Sequence, residues 1–424
     1  MSTIYNPLKL PEYRHLFKGK KILVIGAGAV GSALMEYFAK MGVSVDVLDY
    51  DHYTLENAAK GSCLIRTPED AGRNKAQCAA DRVKPLLDDG CTSNGIDADL
   101  CKLGPEAFVD YDVVASAVDN YAAKVLLSEI FMQLDEGRRP VILMTGTREE
   151  TAQSVICDGK EFCLRCLIDE GWMKDSSIRT SCNGPQYRKI EGIPEIIRTS
   201  NLASSMAAHL SAEQVRAFFT GCGDVMNRRT TYTAYPNLEI SVSRPMRKRG
   251  CPGCTVRPPR KINRLNGNIM ETTLENAFSM ISEVLRTEDY EMVAHQLHYK
   301  KVTYSEFILG GNCQCCGKEI CVMKHEGRAF PDDFFCEDCR KEGNLFKTRG
   351  NNGFGHSVNV FTPGTTGDDL KKMVLYDLGY PLGAHIEIIQ RNGALDFLDH
   401  DKISRSVFAF SQDPFLMHSV NQLK

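Results

Sequence analysis

Apolar residues follow two different rhythms along this chain of 424 residues. From Lys20 onward, "KILVIGAG" is apolar without interruption until its glycines, and "AVGSALMEYFAKMG" behind it carries Val30, Leu34, Tyr37 and Phe38 at helical spacing. "SVDVLDYD" and "VDYDVVASAVDN" repeat the strand signal. Continuous apolar strands alternating with helices predict a parallel sheet covered on both faces. The basic, proline-bearing stretch "TVRPPRKINRLNGN", residues 255 to 268, breaks this rhythm and reads as a linker.

Beyond it the pattern changes. "TTLENAFSMISEVLR" sets Thr272 and Glu275 at capping-box spacing and places Leu274, Phe278, Ile281 and Leu285 on one face, which predicts a helix. A short alternating strand follows at "SVNVF". A second helix is expected at "DDLKKMVLYDLG", with Leu370, Met373, Val374 and Leu378 inward. "HIEIIQRNGALDFL" reads as a hairpin turning at Asn392-Gly393. Strand, helix and hairpin make a small α+β unit, interrupted by cysteines between 313 and 339. There is no internal repeat and no low-complexity tract.

Composition adds bounds. With 43% apolar residues, 25% charged residues and a net charge of -3, the chain has the balance of an ordinary soluble protein, and its length suits two or three domains. Nothing in that balance points to nucleic acid or an anionic membrane as a partner. The lysines ahead of the first apolar run imitate a signal peptide, but the run starts at Lys20 and contains Glu36. No stretch approaches the ~18 uninterrupted apolar residues of a membrane span. The expected compartment is the cytoplasm.

The cysteines change the picture more. Of 17, eight form pairs at Cys-x-x-Cys spacing: Cys163/Cys166, Cys251/Cys254, Cys313/Cys316 and Cys336/Cys339. Two thiolates two residues apart can take adjacent corners of a tetrahedron, so two sets of two pairs predict two structural zinc sites. One such pair alone would read equally as a redox motif or as chance. Cys315 and Cys321 lie close enough to the second set to confuse its assignment.

Chemistry is also written into "GAGAVG". Gly26, Gly28 and Gly31 follow a strand and open a helix, so backbone amides and the helix N-terminus can cradle phosphate. Asp49 ends the next strand, where an acid receives a ribose hydroxyl. These features by themselves fit any dinucleotide dehydrogenase.

The residues after Asp49 carry a resemblance. "LDYDHYTLENAAKG", "GRNKAQ" and "ASAVDN" are similar to segments of the ubiquitin-activating-enzyme superfamily, which includes bacterial molybdopterin-synthase and thiamine-biosynthesis adenylyltransferases. The resemblance implies that Asp49, Asn57, Lys60, Lys75 and Asp119 surround ATP, with Lys60 and Lys75 supplying positive charge and Asp119 holding magnesium. Lysine at 60 departs from the arginine usual in the bacterial relatives and forgoes its bidentate fork. Those relatives also bring an N-terminal arginine from a partner subunit. Arg14 is the one arginine upstream of the glycine loop, and its spacing matches poorly.

The similarity runs over roughly residues 19 to 256. "EFCLRC", a crossing segment, "TSNLASSMAAHLSAEQVRAFF" and "YTAYPNLEISVSRPMRKRGCPGC" are similar to the second half of that fold. This implies one structural zinc on Cys163, Cys166, Cys251 and Cys254, and a homodimer. The C-terminal helices and final strand look similar to the ubiquitin-fold domain that recruits conjugating enzymes. "CQCCGKEICV" and "FFCEDCRKEG" read as a zinc ribbon on Cys313, Cys316, Cys336 and Cys339.

The expected architecture is therefore an α/β, Rossmann-like doubly wound adenylation domain with a zinc knuckle over residues 1–254. A linker at 255–271 leads to an α+β ubiquitin-fold-like domain at 272–424, carrying the ribbon at 313–339. The crossing segment contains "SSIRTSCNGP". Its Cys182 stands sixteen residues after Cys166, where the superfamily places its acyl-accepting cysteine, with Arg179, Arg188 and Lys189 near in sequence. The implied activity uses ATP, Mg2+ and Zn2+. It adenylates the C-terminal glycine of a ubiquitin-like protein, forms a thioester on Cys182 and passes the acyl group to a conjugating enzyme. An acyl persulfide at Cys182, serving a sulfur-carrier protein, is the alternative. Bacterial relatives of the conjugation type accompany antiviral defence systems.

Overall fold

The structure, a computed structural model, describes residues 15–54, 70–119, 121–148, 150–168, 201–234, 237–256, 258–293, 307–313, 315–325, 335–341, 356–358, 360–391 and 403–411. The described chain forms two compact units. One takes residues up to Leu100 and Ala107–Pro258, and the other takes Cys101–Glu106 and the residues from Pro259 on.

The first unit follows the rhythm of its sequence. Its elements are β1 (Lys21–Ile25), α1 (Ala29–Met41), β2 (Ser44–Leu48), α2 (Lys75–Val83), β3 (Gly95–Ile96), β4 (Val113–Ser116), α3 (Tyr121–Met132), β5 (Val141–Arg148), β6 (Thr151–Cys157), α4 (Asn201–Thr220), β7 (Arg228–Thr233) and β8 (Glu239–Ser243). They build an eight-stranded sheet in the order β3-β2-β1-β4-β5-β6-β7-β8. Strands up to β5 pair in parallel, and β5 through β8 pair antiparallel.

β1 runs between β2 and β4, with Ile22 opposite Val45 on one side and Val113 on the other. A strand in that place is buried on both faces, which is why its sequence is continuously apolar. Leu34 and Phe38 of α1 are fully buried in a cluster that also holds Ala208, Ala212 and Val215 of α4. α1 stops at Gly42, whose φ of 84° is a left-handed cap that favours glycine. Where α4 meets the sheet, Ser154 donates to Gln214 at 2.6 Å and accepts from Ser211 at 2.8 Å, so the buried polar atoms there are paired.

The second unit contains β9 (Ile262–Leu265), α5 (Leu274–Leu285), β10 (Glu291–Val293), β11 (Phe307–Asn312), β12 (Glu319–His325), α6 (Glu337–Lys341), β13 (His356–Val358), β14 (Val360–Phe361), α7 (Asp368–Lys371), β15 (Ile386–Arg391) and β16 (Ile403–Phe410). They form a five-stranded sheet, β14-β10-β15-β16-β9, and a three-stranded one, β12-β11-β13. α5 supplies the core of this unit with Leu274, Phe278 and Ile281, packed with Ile386, Ile388 and Phe408.

This unit departs from the sequence pattern in five places. The stretch 255 to 268, expected as linker, contains β9, which pairs in parallel with β16. The cap of α5 is Thr273, whose side chain accepts from the Asn276 amide, rather than Thr272. The helix expected over 368 to 379 ends as the four-residue α7, because the next backbone groups are spent elsewhere: Leu274 donates to the Met373 carbonyl and Leu375 to the Thr272 carbonyl, both at 2.9 Å. "SVNVF" divides between two sheets, with β13 paired to β11 and β14 to β10. The strand paired with β15 from further along the chain is β16, with Arg391 facing Ile403, whereas Asn392-Gly393 and the residues expected to follow them as a strand lie outside the described residues. Among the described residues, no helix is long and apolar enough to cross a membrane.

Candidate functional site

The C-terminal ends of β1, β2 and β4 gather the first set of candidate residues. β1 feeds its glycines where the strand order reverses, with β2 and β3 on one side and β4 and β5 on the other. In open α/β sheets that switch point is where ligands bind. Gly26 has φ of 94°, and a side chain there would meet the Ala117 carbonyl oxygen at 3.1 Å. At Gly31 a Cβ would stand 1.8 Å from the Gly26 carbonyl oxygen. Packing therefore demands both glycines. Gly28 differs, for nothing lies within 4 Å of a Cβ built there. Its missing side chain leaves a cradle at the N-terminus of α1 that fits a phosphate approaching the backbone.

Asp49 ties this loop to β2. Its Oδ2 accepts from the Ala27 amide at 2.7 Å and its Oδ1 from the Asp51 amide at 2.9 Å. Burial raises its pKa, against the pull of Lys75 and of those two amides. The N-terminus of α2 closes on the same strand end. Asn74 caps α2 by accepting from the Gln77 amide at 3.0 Å, and its own amide donates to the Asp49 and Asp51 carbonyls at 3.0 and 3.2 Å. Lys75 follows with 6% of its surface exposed, and its Nζ lies 3.0 Å from Asp51 Oδ2. A cation is thus held beside Asp49, whose carboxylate is hydrogen-bonded to the glycine loop.

Asp119 is exposed just past β4, on the stretch whose Ala117 and Val118 flank Gly26. The buried Lys124, one turn into α3, has its pKa lowered by burial, with the charge of Asp119 opposing. Asn57, Lys60, Arg14 and Cys182 lie outside the described residues. Sequence reading missed Asp51 and Lys124; the acid-x-acid spacing of Asp49 and Asp51 was the available signal for the first.

The second set is thiol. Cys163, Cys166, Cys251 and Cys254 form one tetrad, and Cys313, Cys316, Cys336 and Cys339 another. In the first, Sγ separations of 3.4 to 3.9 Å surround the edge of about 3.8 Å that a tetrahedron with 2.3 Å Zn–S bonds requires. Burial pushes the Cys163 thiol up. Burial also raises Cys166, but hydrogen bonds from the backbone amides of Lys248 and Cys163 and from the Cys254 and Cys251 thiols together outweigh it and hold that thiol below its ordinary value.

In the second tetrad Cys316 and Cys336 stand 3.7 Å apart. Burial raises the Cys313 thiol, but hydrogen bonds from the backbone amides of Cys316, Cys336 and Cys315 and from the Cys316 thiol together outweigh it and pull the value to about 6. Amide donors around sulfur favour thiolate, the ligand form of cysteine. Both donor sets therefore fit zinc. Cys315 is half-buried against the second tetrad, whereas Cys321 is exposed and donates to the Leu309 carbonyl at 3.7 Å.

A family profile described as the ThiF family matches residues 4–256. The chain belongs to the ThiF family. Its curated relatives include the "Adenylyltransferase and sulfurtransferase MOCS3" of Caenorhabditis briggsae, 29% identical over 205 residues, covering 46% of this chain and 48% of that protein. The "SAMP-activating enzyme E1" of Haloferax volcanii is 28% identical over 161 residues, covering 38% of this chain and 57% of its own length. This ThiF chain thus spans about half the length of the curated relatives it matches. Among solved structures, the "Crystal structure of E. coli MccB" aligns at 16% identity with a TM-score of 0.44, covering 60% of this chain and 69% of that one.

Proposed function

We propose that this ThiF protein adenylates the C-terminal glycine of a ubiquitin-like protein at the crevice of Gly26, Gly28, Gly31 and Asp49. The observation that carries the proposal is Lys75, whose ammonium is held 3.0 Å from Asp51 at the strand end bearing Asp49. Attack of a carboxylate on the α-phosphorus of ATP builds negative charge and expels pyrophosphate, so a fixed cation in a low-dielectric crevice stabilises the step. Asp49 would take the ribose, the α1 N-terminus the phosphates, and Asn57 and Lys60 would complete the set. Asp119 would hold magnesium, which offsets charge on the phosphates when bound.

The acyl group then passes from the adenylate to the Cys182 thiolate, forming a C–S bond as AMP departs. A conjugating enzyme recruited by the C-terminal unit, which the reading takes as ubiquitin-fold-like, accepts it. Zinc in the two tetrads serves structure, since four cysteine ligands leave no open position for water. The chain acts as a homodimer.

The test is ATP–pyrophosphate exchange by the full chain with a panel of ubiquitin-like proteins ending in glycine. Asp119→Ala is expected to abolish exchange. Cys182→Ala is expected to preserve exchange and to lose the reductant-sensitive adduct. An adduct that persists in Cys182→Ala rejects the assignment of that cysteine. Bound NAD, with no exchange on adding ATP, rejects the whole reading. Names such as "Adenylyltransferase and sulfurtransferase" among the relatives favour a second reading, in which Cys182 works as an acyl persulfide on a sulfur carrier. Release of the carrier as a thiocarboxylate on reduction, read from its intact mass against that of the plain carboxylate, separates the two.

A further inference from the structure

We infer that Asp51 is a positioning residue that holds Lys75 at the end of β2 as an internal stand-in for phosphate before nucleotide binds, and that nucleotide binding displaces it. This rests on the adenylation reading and assigns a role to a residue that reading does not use. The geometry is specific. Lys75 Nζ lies 3.0 Å from Asp51 Oδ2, with the lysine side chain 8% exposed and the aspartate 28% exposed. The same two residues are clipped by their backbones, since the Lys75 amide donates to the Asp51 carbonyl at 2.7 Å. Asn74 adds a second clip, its side-chain amide reaching the same Asp51 carbonyl at 3.2 Å.

An ammonium this enclosed has no water shell to fall back on, so it needs an anion whether or not nucleotide is present. Asp51 supplies that anion. The aspartate, more exposed than the lysine, is the partner that water can receive when a phosphate takes its place. Asp51 also donates its amide to Asp49 Oδ1 at 2.9 Å, and Asp49 in turn accepts from Ala27 of the glycine loop at 2.7 Å. The stand-in is therefore wired to the loop it serves, and Lys75 meets an incoming phosphate already aimed. An arriving triphosphate must compete with the carboxylate for Lys75, and that competition lowers ground-state affinity.

A double-mutant cycle on Mg·ATP binding, measured by titration calorimetry on the full chain, tests this. Asp51→Asn is expected to tighten Mg·ATP by about threefold or more in the wild-type background, and by less than about 1.5-fold when Lys75 is already Gln. AMP, which lacks the outer phosphates, serves as a second probe, and circular dichroism of each variant checks folding. Weaker binding in a folded Asp51→Asn, or an equal effect in both backgrounds, overturns the pairing while leaving the adenylation reading in place. Failure of the wild-type chain to bind Mg·ATP at all overturns both.

Discussion

The two cysteine tetrads have the same ligand chemistry and different surroundings. In the first, all four cysteines are buried, and the two pairs it joins are 88 positions apart in the chain. It is braced from α3: Ser128 accepts from the Arg165 amide at 3.3 Å, and Arg165 forms a 2.7 Å ion pair with Glu129, a side chain 3% exposed. In the second tetrad the pairs are 23 positions apart, Cys316 is exposed while its three partners are buried, and among the described residues the apolar side chains of its cluster are Phe335 and Ile320. A cross-link that closes a long loop inside a core stabilises a whole domain. One that closes a short loop at the surface substitutes locally for a core that is too small.

Three experiments sharpen or break this contrast. Cys163→Ser removes a ligand from the buried tetrad and is expected to cost about 3 kcal/mol or more and lower the melting midpoint by roughly 10 °C, with one zinc lost per chain. A melt unchanged within error would show that the first tetrad bears no load. Cys336→Ser is expected to lose the other zinc and the order of β11 to β13, while Mg·ATP binding stays within about twofold, because the second tetrad sits in a unit of its own. Zinc release to a chelator should correspondingly be biphasic, with the fast phase missing in Cys316→Ser. A single phase would remove the distinction.

The smallest effect concerns pH. Burial raises the Glu129 carboxyl from 4.5 to about 7, with Arg165 opposing. Between these two values the folded chain binds a proton that the unfolded chain has released, so this group's contribution to stability falls as pH rises from about 4.5 to 7. Glu129→Gln should flatten that part of the stability curve, measured by urea melts at fixed ionic strength. An unchanged slope would mean that Arg165 already satisfies the charge.

Local patterns carried much of this in the sequence. The glycine loop, the strand ahead of it and the Cys-x-x-Cys pairs depend on residues within a few positions of one another, and spacing alone reveals them. Where a sheet recruits distant segments, the pattern misleads. Ile262 and Leu265 are too sparse to announce β9, yet β16 pairs with it from over 140 positions away. The run 357 to 361 alternates correctly and still serves two sheets, since alternation specifies a face and not a partner.

The sequence by itself determined the ThiF-type strand, loop and helix, the residue that ends β2, and the supply of eight paired thiols. Tertiary structure alone decided that α2 would bring Lys75 onto Asp51, that Gly28 is the glycine left open where Gly26 and Gly31 are packed, and that one tetrad is buried at all four cysteines while the other exposes Cys316. The reason is physical. Spacing along a chain fixes which groups share a face or a turn, whereas a salt bridge, an open cradle and a degree of burial depend on elements that meet only after the chain has folded.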